Sequence, residues 1–299
     1  DLRLYAKLES ANPGGSIKDR TAFTILSRAL EASDLRRGDT VIESSSGNMA
    51  IGLALACRYY GLKLIIVVDP KVNALTLSLL QTFDVTIDAV RAPDPDDGWL
   101  GARLARVAEL LETVPNSYWS NQYGNPNNPA AHEQTMHEIV RDLGTAPDYL
   151  FVATSTCGTI MGCAQYVQAH GLHTRLVAVD AVGSVIFGTP PAPRLIPGHG
   201  AGRASELLER HLIDDVIHVS DMECVRGCRL LLEREAILAG GSSGGVVSAI
   251  ERRLHTLSEG ATVAFLVCDR GDRYLETIYS DEWVLTHLGD PAHDRDAGA

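Results

Sequence analysis

Apolar and polar positions follow two length scales along the chain. Short runs rich in valine and isoleucine, "DTVIES" (39–44), "KLIIVVD" (63–69), "DYLFVAT" (148–154), "RLVAVDA" (175–181) and "ATVAFLVCD" (261–269), are apolar at consecutive positions over about five residues. Strands buried on both faces of a parallel sheet have that pattern. Longer mixed runs, "NMAIGLALACRYYG" (48–61), "NALTLSLLQTF" (73–83) and "TIMGCAQYVQAHG" (159–171), have helical length and lie between them. The alternation predicts an α/β protein with parallel sheets.

Composition sharpens this picture. At 299 residues and 45% hydrophobic, the chain is long enough to bury a large core and suits two domains. The densest cluster of turn-forming residues is "YGNPNNPAAHE" (123–133), which places a domain crossing there and a ligand cleft between the halves. The expected division is a smaller, mobile domain over 12–122, a larger one over 1–11 plus 123–290, and a polar, frayed tail over 291–299.

A net charge of −12 lacks the electrostatic footprint of a nucleic-acid binder and leaves room for a small anionic ligand held locally. No apolar run reaches membrane-spanning length, and "DLRLYAKLES" reads as neither a signal peptide nor a native start. Six scattered cysteines predict a reduced, cytoplasmic chain. Cys224 and Cys228 are spaced for one helix face, without the neighbours a zinc site needs, so no metal is expected.

Three turns rich in Gly, Ser and Thr each meet a predicted helix: "NPGGSIKDR" (12–20), "ESSSGNMAIG" (43–52) and "ATSTCGTIMG" (153–162). Helix starts present N–H groups and a positive dipole end to anions. Any one of them is explained by helix capping; three together point to a site. The turn at 154–159 has the strand–turn–helix context of a phosphate cradle but lacks a Walker lysine and the G-x-G-x-x-G pattern, so no nucleotide is required. Lys18 can be read as an ordinary exposed lysine in the first turn of a helix, yet at a helix start the dipole opposes a second positive charge. An amine kept neutral forms Schiff bases with aldehydes, and an aldehyde carrying a phosphate points to pyridoxal phosphate.

The motifs "NPGGSIKDR", "SSSGNMAIGLA", "NQYGNPNNP", "TSTCGTIMG", "IPGHGAGR", "GGSSGG" and "DRGDRYL" occur in an order and spacing that resembles the cysteine synthase family of fold-type II pyridoxal-phosphate enzymes over nearly the whole chain. The triple serine and "VDAVGSVIFGTPP" are similar to the branch that replaces the phosphate of O-phospho-L-serine with the amine of L-glutamate in siderophore and 2,3-diaminopropionate pathways. The resemblance implies two three-layer αβα domains with the cofactor in the cleft between them, small amino-acid substrates and a homodimer.

Residue by residue, it implies that Lys18 is the Schiff-base lysine and moves the α-proton, with the two glycines before it giving clearance for the ring. Asn48 would bond the ring hydroxyl, and Ser155, Thr156, Cys157, Gly158 and Thr159 would wrap the phosphate. Ser44, Ser45, Ser46, Gly47 and Gln122 match the substrate-carboxylate loop and its glutamine. An aminoacrylate would form on loss of the β-substituent and take up the second substrate.

Three departures from the family pattern carry expectations of their own. Cys157 must fit a backbone position where glycine has wider freedom. Met49 and Ala50 replace smaller or polar family residues and are expected at the cleft, where they would select the nucleophile. Arg270 stands where the family has a serine near the pyridine nitrogen; a guanidinium that reaches it, a donor without an acceptor, would keep that nitrogen unprotonated and favour elimination, the alternative being that the arginine points away and leaves Cys268 or a water near the ring. The basic loop 194–203, with Arg194, His199 and Arg203, is the expected site of a phosphate leaving group, against the alternative of a solvated loop paired with "ELLER". The competing readings are an O-acetylserine or O-phosphoserine sulfhydrylase, a dehydratase, and a catalytically silent scaffold of this fold.

Overall fold

The computed structural model describes residues 2–290; Asp1 and the expected polar tail 291–299 lie outside the described residues. In chain order the elements are β1 (Arg3–Leu8), α1 (Lys18–Glu31), β2 (Thr40–Ser44), α2 (Asn48–Tyr60), β3 (Lys63–Val68), α3 (Ala74–Thr82), β4 (Thr86–Ala89), α4 (Gly98–Thr113) and β5 (Ser117–Trp119). They continue with α5 (Asn127–Leu143), β6 (Tyr149–Ala153), α6 (Gly158–Ala169), β7 (Arg175–Ala181), β8 (Asp215–Val219), α7 (Asp221–Glu235), α8 (Gly241–Arg253), β9 (Thr262–Val267) and α9 (Asp281–Leu288). All five predicted strands and all three predicted helices form. The pattern did not mark β1, β4, β5 or β8.

The chain divides into two compact units, residues 12–132 and residues 1–11 with 133 onward. The division falls inside α5, at the far end of the turn-rich stretch rather than at 122/123. Its physical reason is a set of hydrogen bonds: Asn128 and His132, in the first half of α5, are bonded back to Gln122 and Thr21. Residues 1–11 join the second unit because β1 pairs with β9, Arg3 opposite Thr262 through Leu8 opposite Val267.

The unit 12–132 holds a four-stranded parallel sheet in the order β4-β3-β2-β5. Successive side chains of a strand face opposite ways. Accordingly Val41, Leu64, Ile66 and Val68 join a core with α1, α2 and α3, while Ile42 and Val67 meet Val107 and Leu110 of α4 on the other face. This unit is therefore three-layered. Its α2 ends at Gly61, whose left-handed φ of 71° closes the helix and returns the chain to β3.

The other unit holds a five-stranded parallel sheet, β1-β9-β6-β7-β8. Phe151, Val177, Val179, Ile217, Val263, Phe265 and Val267 pack against α7 and α8. The alternate residues Leu150, Val152, Leu176, Ala178 and Leu266 are equally buried, and α6 packs on β6 and β7. Cys224 and Cys228 both lie in α7 and are buried, as part of this core.

Candidate active site

In the unit 12–132, chemistry-bearing residues gather at the carboxyl ends of β2, β3 and β5, where open parallel sheets bind ligands. Lys18 is the first residue of α1 and is partly buried. The turn before it is fixed by Gly15 N–H to the Asn12 carbonyl (2.7 Å), with Gly15 at φ 76°. A Cβ on Gly14 would collide with the Asp19 carboxylate and with Leu55, and Gly14 N–H donates to Asp19 Oδ2 at 2.6 Å. The two glycines thus serve the turn and the close approach of Asp19.

The chain has four lysines. Lys7 is paired with Glu138 at 2.7 Å, and Lys63 and Lys71 are exposed. Only Lys18 of the four begins a helix beside the other predicted site residues. Just below it, Thr21 Oγ1 lies 3.0 Å from His132 Nε2 and donates to Asn128 Oδ1 at 3.2 Å, and Asn128 Nδ2 donates to the Gln122 carbonyl at 2.7 Å. His132 is fully buried, and burial, reinforced by the charges of Lys18 and Arg20, pushes its pKa well below the ordinary value. It is held neutral beside the lysine helix.

The network continues to the serine loop. Gln122 Nε2 donates to the Ser44 carbonyl at 3.4 Å, and Gln122 N–H donates to Glu43 Oε2 at 3.2 Å. Glu43 also accepts from Ser120 Oγ at 2.7 Å and from Ser44 N–H at 2.8 Å. Burial pushes the Glu43 pKa up, while these donors pull it back. Glu43 thus ties Ser44 and Gln122, both predicted to hold a substrate carboxylate, to one buried anchor. The Ser44 hydroxyl is itself buried and meets no hydrogen-bond partner among the described residues. Asn48 opens α2 directly after this loop, with Gly47 as its cap residue.

Met49 is not at an open surface. It is 2% exposed and, with Ala50, belongs to the core between α2 and α1. Residues 49 and 52 share a helix face, and the face at Gly52 meets the Lys18 backbone and Ala22. The expectation that Met49 faces the nucleophile is corrected accordingly.

The residue that sequence reasoning missed here is Arg103 of α4. Its Nη1 donates to Ser46 Oγ at 3.4 Å and lies 3.3 Å from Asp69 Oδ2, at the end of β3. The side chain is 14% exposed, and its buried Nε meets no partner among the described residues. A nearly buried guanidinium beside a serine loop, held in place by Asp69, is a ready partner for phosphate or carboxylate. Its only sequence signal is an arginine on a helix 57 residues from the serine it touches.

In the other unit, the turn after β6 carries Ser155, Thr156 and Cys157 into α6, which begins Gly158, Thr159. Cys157 sits at φ 63°, ψ −3°, the left-handed region, as expected for a cysteine standing where glycine is freer. Such a residue costs about 1–3 kcal/mol and persists only where its surroundings hold it. Thr154 roots the turn by donating to Asp180 Oδ1 at 3.1 Å and to the Val179 carbonyl at 3.2 Å. Asp180 is 0% exposed, and its burial pushes the pKa up.

Arg270 is corrected. It is exposed, and both Nε (3.2 Å) and Nη2 (2.7 Å) donate to Asp272 Oδ2. That ion pair takes up the guanidinium, whereas Cys268, two residues earlier, is partly buried with its N–H on the Ser243 side. Arg203 is corrected as well: it is exposed and pairs with Glu206 at 3.2 Å, the solvated-loop alternative. His199 of the same loop is 0% exposed, and neither ring nitrogen has a well-formed hydrogen bond. Burial lowers its pKa to about 4 against an upward pull from the Asp180 carbonyl, with a smaller downward push from the Arg194 charge.

The donor set fits pyridoxal phosphate. Three hydroxyls and a left-handed residue at the start of the 12-residue helix α6 suit a phosphate dianion, and one helix-start lysine suits its aldehyde. Among the described residues no group of His, Cys, Asp or Glu is arranged to hold a metal, and no helix is long and apolar enough to cross a membrane.

Comparison with known proteins agrees. The chain is 48% identical, over 282 residues covering 94% of its length and 83% of the relative, to the N-(2-amino-2-carboxyethyl)-L-glutamate synthase of Ralstonia nicotianae (strain ATCC BAA-1114 / GMI1000). The crystal structure of the O-acetylserine-dependent cystathionine beta-synthase from Helicobacter pylori matches with a TM-score of 0.86 at 32% identity, covering 93% of this chain and 90% of that one. That of O-ureido-L-serine synthase matches with a TM-score of 0.86 at 28% identity, covering 95% and 92%. Residues 1–269 match the family described as "Pyridoxal-phosphate dependent enzyme", and the chain belongs to that family.

Proposed function

We propose that the chain catalyses β-replacement on an activated serine: O-phospho-L-serine and L-glutamate give N-(2-amino-2-carboxyethyl)-L-glutamate and phosphate. The observation that carries the choice of substrate is Arg103, nearly buried, braced by Asp69 and bonded to Ser46. A departing phosphate, with more negative charge and more acceptor oxygens than acetate, draws more on that guanidinium. The 48% identity to a synthase of this name supports the same choice.

Pyridoxal phosphate, when bound, supplies an electron sink for the substrate α-carbon. Ser155, Thr156, Cys157, Gly158 and Thr159 hold its phosphate, and Asn48 orients its ring. Ser44, Ser45, Ser46 and Gln122 hold the substrate α-carboxylate, in positions set by Glu43. Lys18 Nζ takes the proton from the substrate α-carbon and returns one at the end of the cycle; neutral His132 places no second positive charge beside it. Arg103 neutralises the phosphate as the bond from the β-carbon to oxygen breaks, and the phosphate leaves with that electron pair. The glutamate amine then bonds to the β-carbon and loses a proton, which balances the reaction. Two half-reactions in sequence give ping-pong kinetics.

The reading extends to a homodimer acting on free amino acids in the cytoplasm, away from nucleic acid and membrane. Light scattering of the purified protein tests the dimer.

The test of function is Arg103→Ala. Loss of a charge-assisted contact is worth roughly 1.5–3 kcal/mol, so kcat/KM for O-phosphoserine falls about 10- to 100-fold while that for O-acetylserine falls much less. An equal fall for both esters removes Arg103 from leaving-group recognition. Wild-type enzyme that accepts sulfide but not glutamate after the first half-reaction replaces this reading with cysteine synthesis.

A further inference from the structure

The basic loop that the sequence offered as a phosphate site is attached to the back of the 154–159 turn. Gly200 N–H donates to the Thr154 carbonyl at 2.7 Å, and Ser205 Oγ donates to the Thr156 carbonyl at 2.6 Å. Both contacts are close and enclosed. Ser205 is 8% exposed, and a Cβ on Gly200 would lie 2.8 Å from Ser184 Cβ and 2.9 Å from Ala181 Cβ. The loop is fixed in turn by Ala201 N–H on Ser184 Oγ (3.1 Å) and by Arg194 Nη1 on the His199 carbonyl (3.0 Å).

These two bonds fall on alternate residues of the turn, and that spacing has a consequence. Among the described residues no peptide is cis, and in a planar trans peptide the carbonyl of one residue and the N–H of the next point in opposite directions. Holding the Thr154 carbonyl toward the loop therefore turns the Ser155 N–H away from it. Holding the Thr156 carbonyl does the same to the Cys157 N–H. Both N–H groups are thus aimed at the face opposite the loop, and the second bond acts right at the left-handed Cys157, where the backbone needs an external hold.

We propose that the segment His199–Ser205 is a strap that sets the direction of the phosphate cradle, with Ser205 as a positioning residue for the cofactor phosphate. This rests on the reading of 155–159 as that cradle. Arg203 has no part in it; its side chain stays on Glu206.

The experiment compares wild-type, Ser205→Ala and Ser205→Thr holoenzymes in three measurements: the dissociation constant of pyridoxal phosphate from the resolved protein, the ³¹P chemical shift of the bound cofactor, and the melting temperature of each apoprotein. Removing the hydroxyl takes away the bond to the Thr156 carbonyl and the acceptor of the Leu207 N–H, so Ser205→Ala weakens cofactor binding about tenfold and moves the ³¹P signal toward that of free cofactor. Ser205→Thr, which keeps the hydroxyl, stays within about threefold of wild type on the same scale. If Ser205→Ala does not fold, Ser205→Cys, of similar size and a weaker donor, carries the comparison with the same expected direction. The strap is refuted if Ser205→Ala lowers only the apoprotein melting temperature and leaves affinity and ³¹P shift unchanged, or if Ser205→Thr is as weak as Ser205→Ala. A wild-type protein whose bound cofactor already shows the free ³¹P signal would instead overturn the cradle reading, and the strap with it.

Discussion

Gly52→Ala tests how closely the site depends on the packing of α1 against α2. In an exposed helix interior this substitution stabilises by about 1 kcal/mol, because alanine restricts the unfolded chain. At position 52 the new Cβ would lie 2.9 Å from the Lys18 carbonyl oxygen, 3.1 Å from its carbonyl carbon and 3.3 Å from Ala22 Cβ. Two of these atoms are backbone and cannot rotate aside, so the helices must part by several tenths of an ångström. Overpacking of this kind costs about 1–3 kcal/mol, which cancels the propensity gain of about 1 kcal/mol and leaves a net loss of up to about 2 kcal/mol. The displacement falls on the residue that carries Lys18, where an error approaching 1 Å costs on the order of 100-fold in rate. Urea unfolding of the apoprotein reads the stability, and turnover of O-phosphoserine by holoenzyme reads the displacement. A Gly52→Ala protein more stable by about 1 kcal/mol and fully active would refute this account of the α1–α2 contact.

Two further outcomes follow from buried ionisable groups. Glu43→Ala leaves the Ser44 N–H, the Ser120 hydroxyl and the Gln122 N–H facing a void; urea unfolding should show a loss of about 3 kcal/mol, and KM for O-phosphoserine should rise more than kcat falls, whereas an unchanged KM would detach Glu43 from the substrate loop. His199 is pushed to about 4 from about 6.5 in the unfolded chain, so at intermediate pH the unfolded state binds the extra proton. Its contribution is complete above about 6.5 and is lost as pH falls toward about 4, on the order of 3 kcal/mol in all. In His199→Leu this acid-side loss shrinks by about that amount in urea midpoints taken from pH 7.5 to pH 4.5; Glu43 and Asp180 titrate alike in both proteins and cancel. Equal slopes would place the acid lability elsewhere.

The parts legible in the sequence were those in which local pattern and tertiary environment agree. Val- and Ile-rich runs became the central strands because both faces of each sheet are covered, and Cys157 betrayed its left-handed backbone by standing where glycine is favoured. The strands without a pattern are short or broken by polar residues: β5 has three residues, and β8 contains His218. Arg103 and Glu43 escaped because their meaning lies in partners 57 to 79 residues away. Arg203 and Arg270 misled for the opposite reason: each has a carboxylate within three residues that takes up its charge. Met49 was misplaced because loop position alone does not say which face of α2 a residue occupies.

The central claim is that Lys18 carries the cofactor. Holoenzyme reduced with borohydride, digested and analysed by mass spectrometry should carry the pyridoxyl group on the peptide containing Lys18 and no other, with the label absent from Lys18→Ala. A pyridoxyl group on Lys7, Lys63 or Lys71, or the same visible absorption band retained by Lys18→Ala, would contradict it.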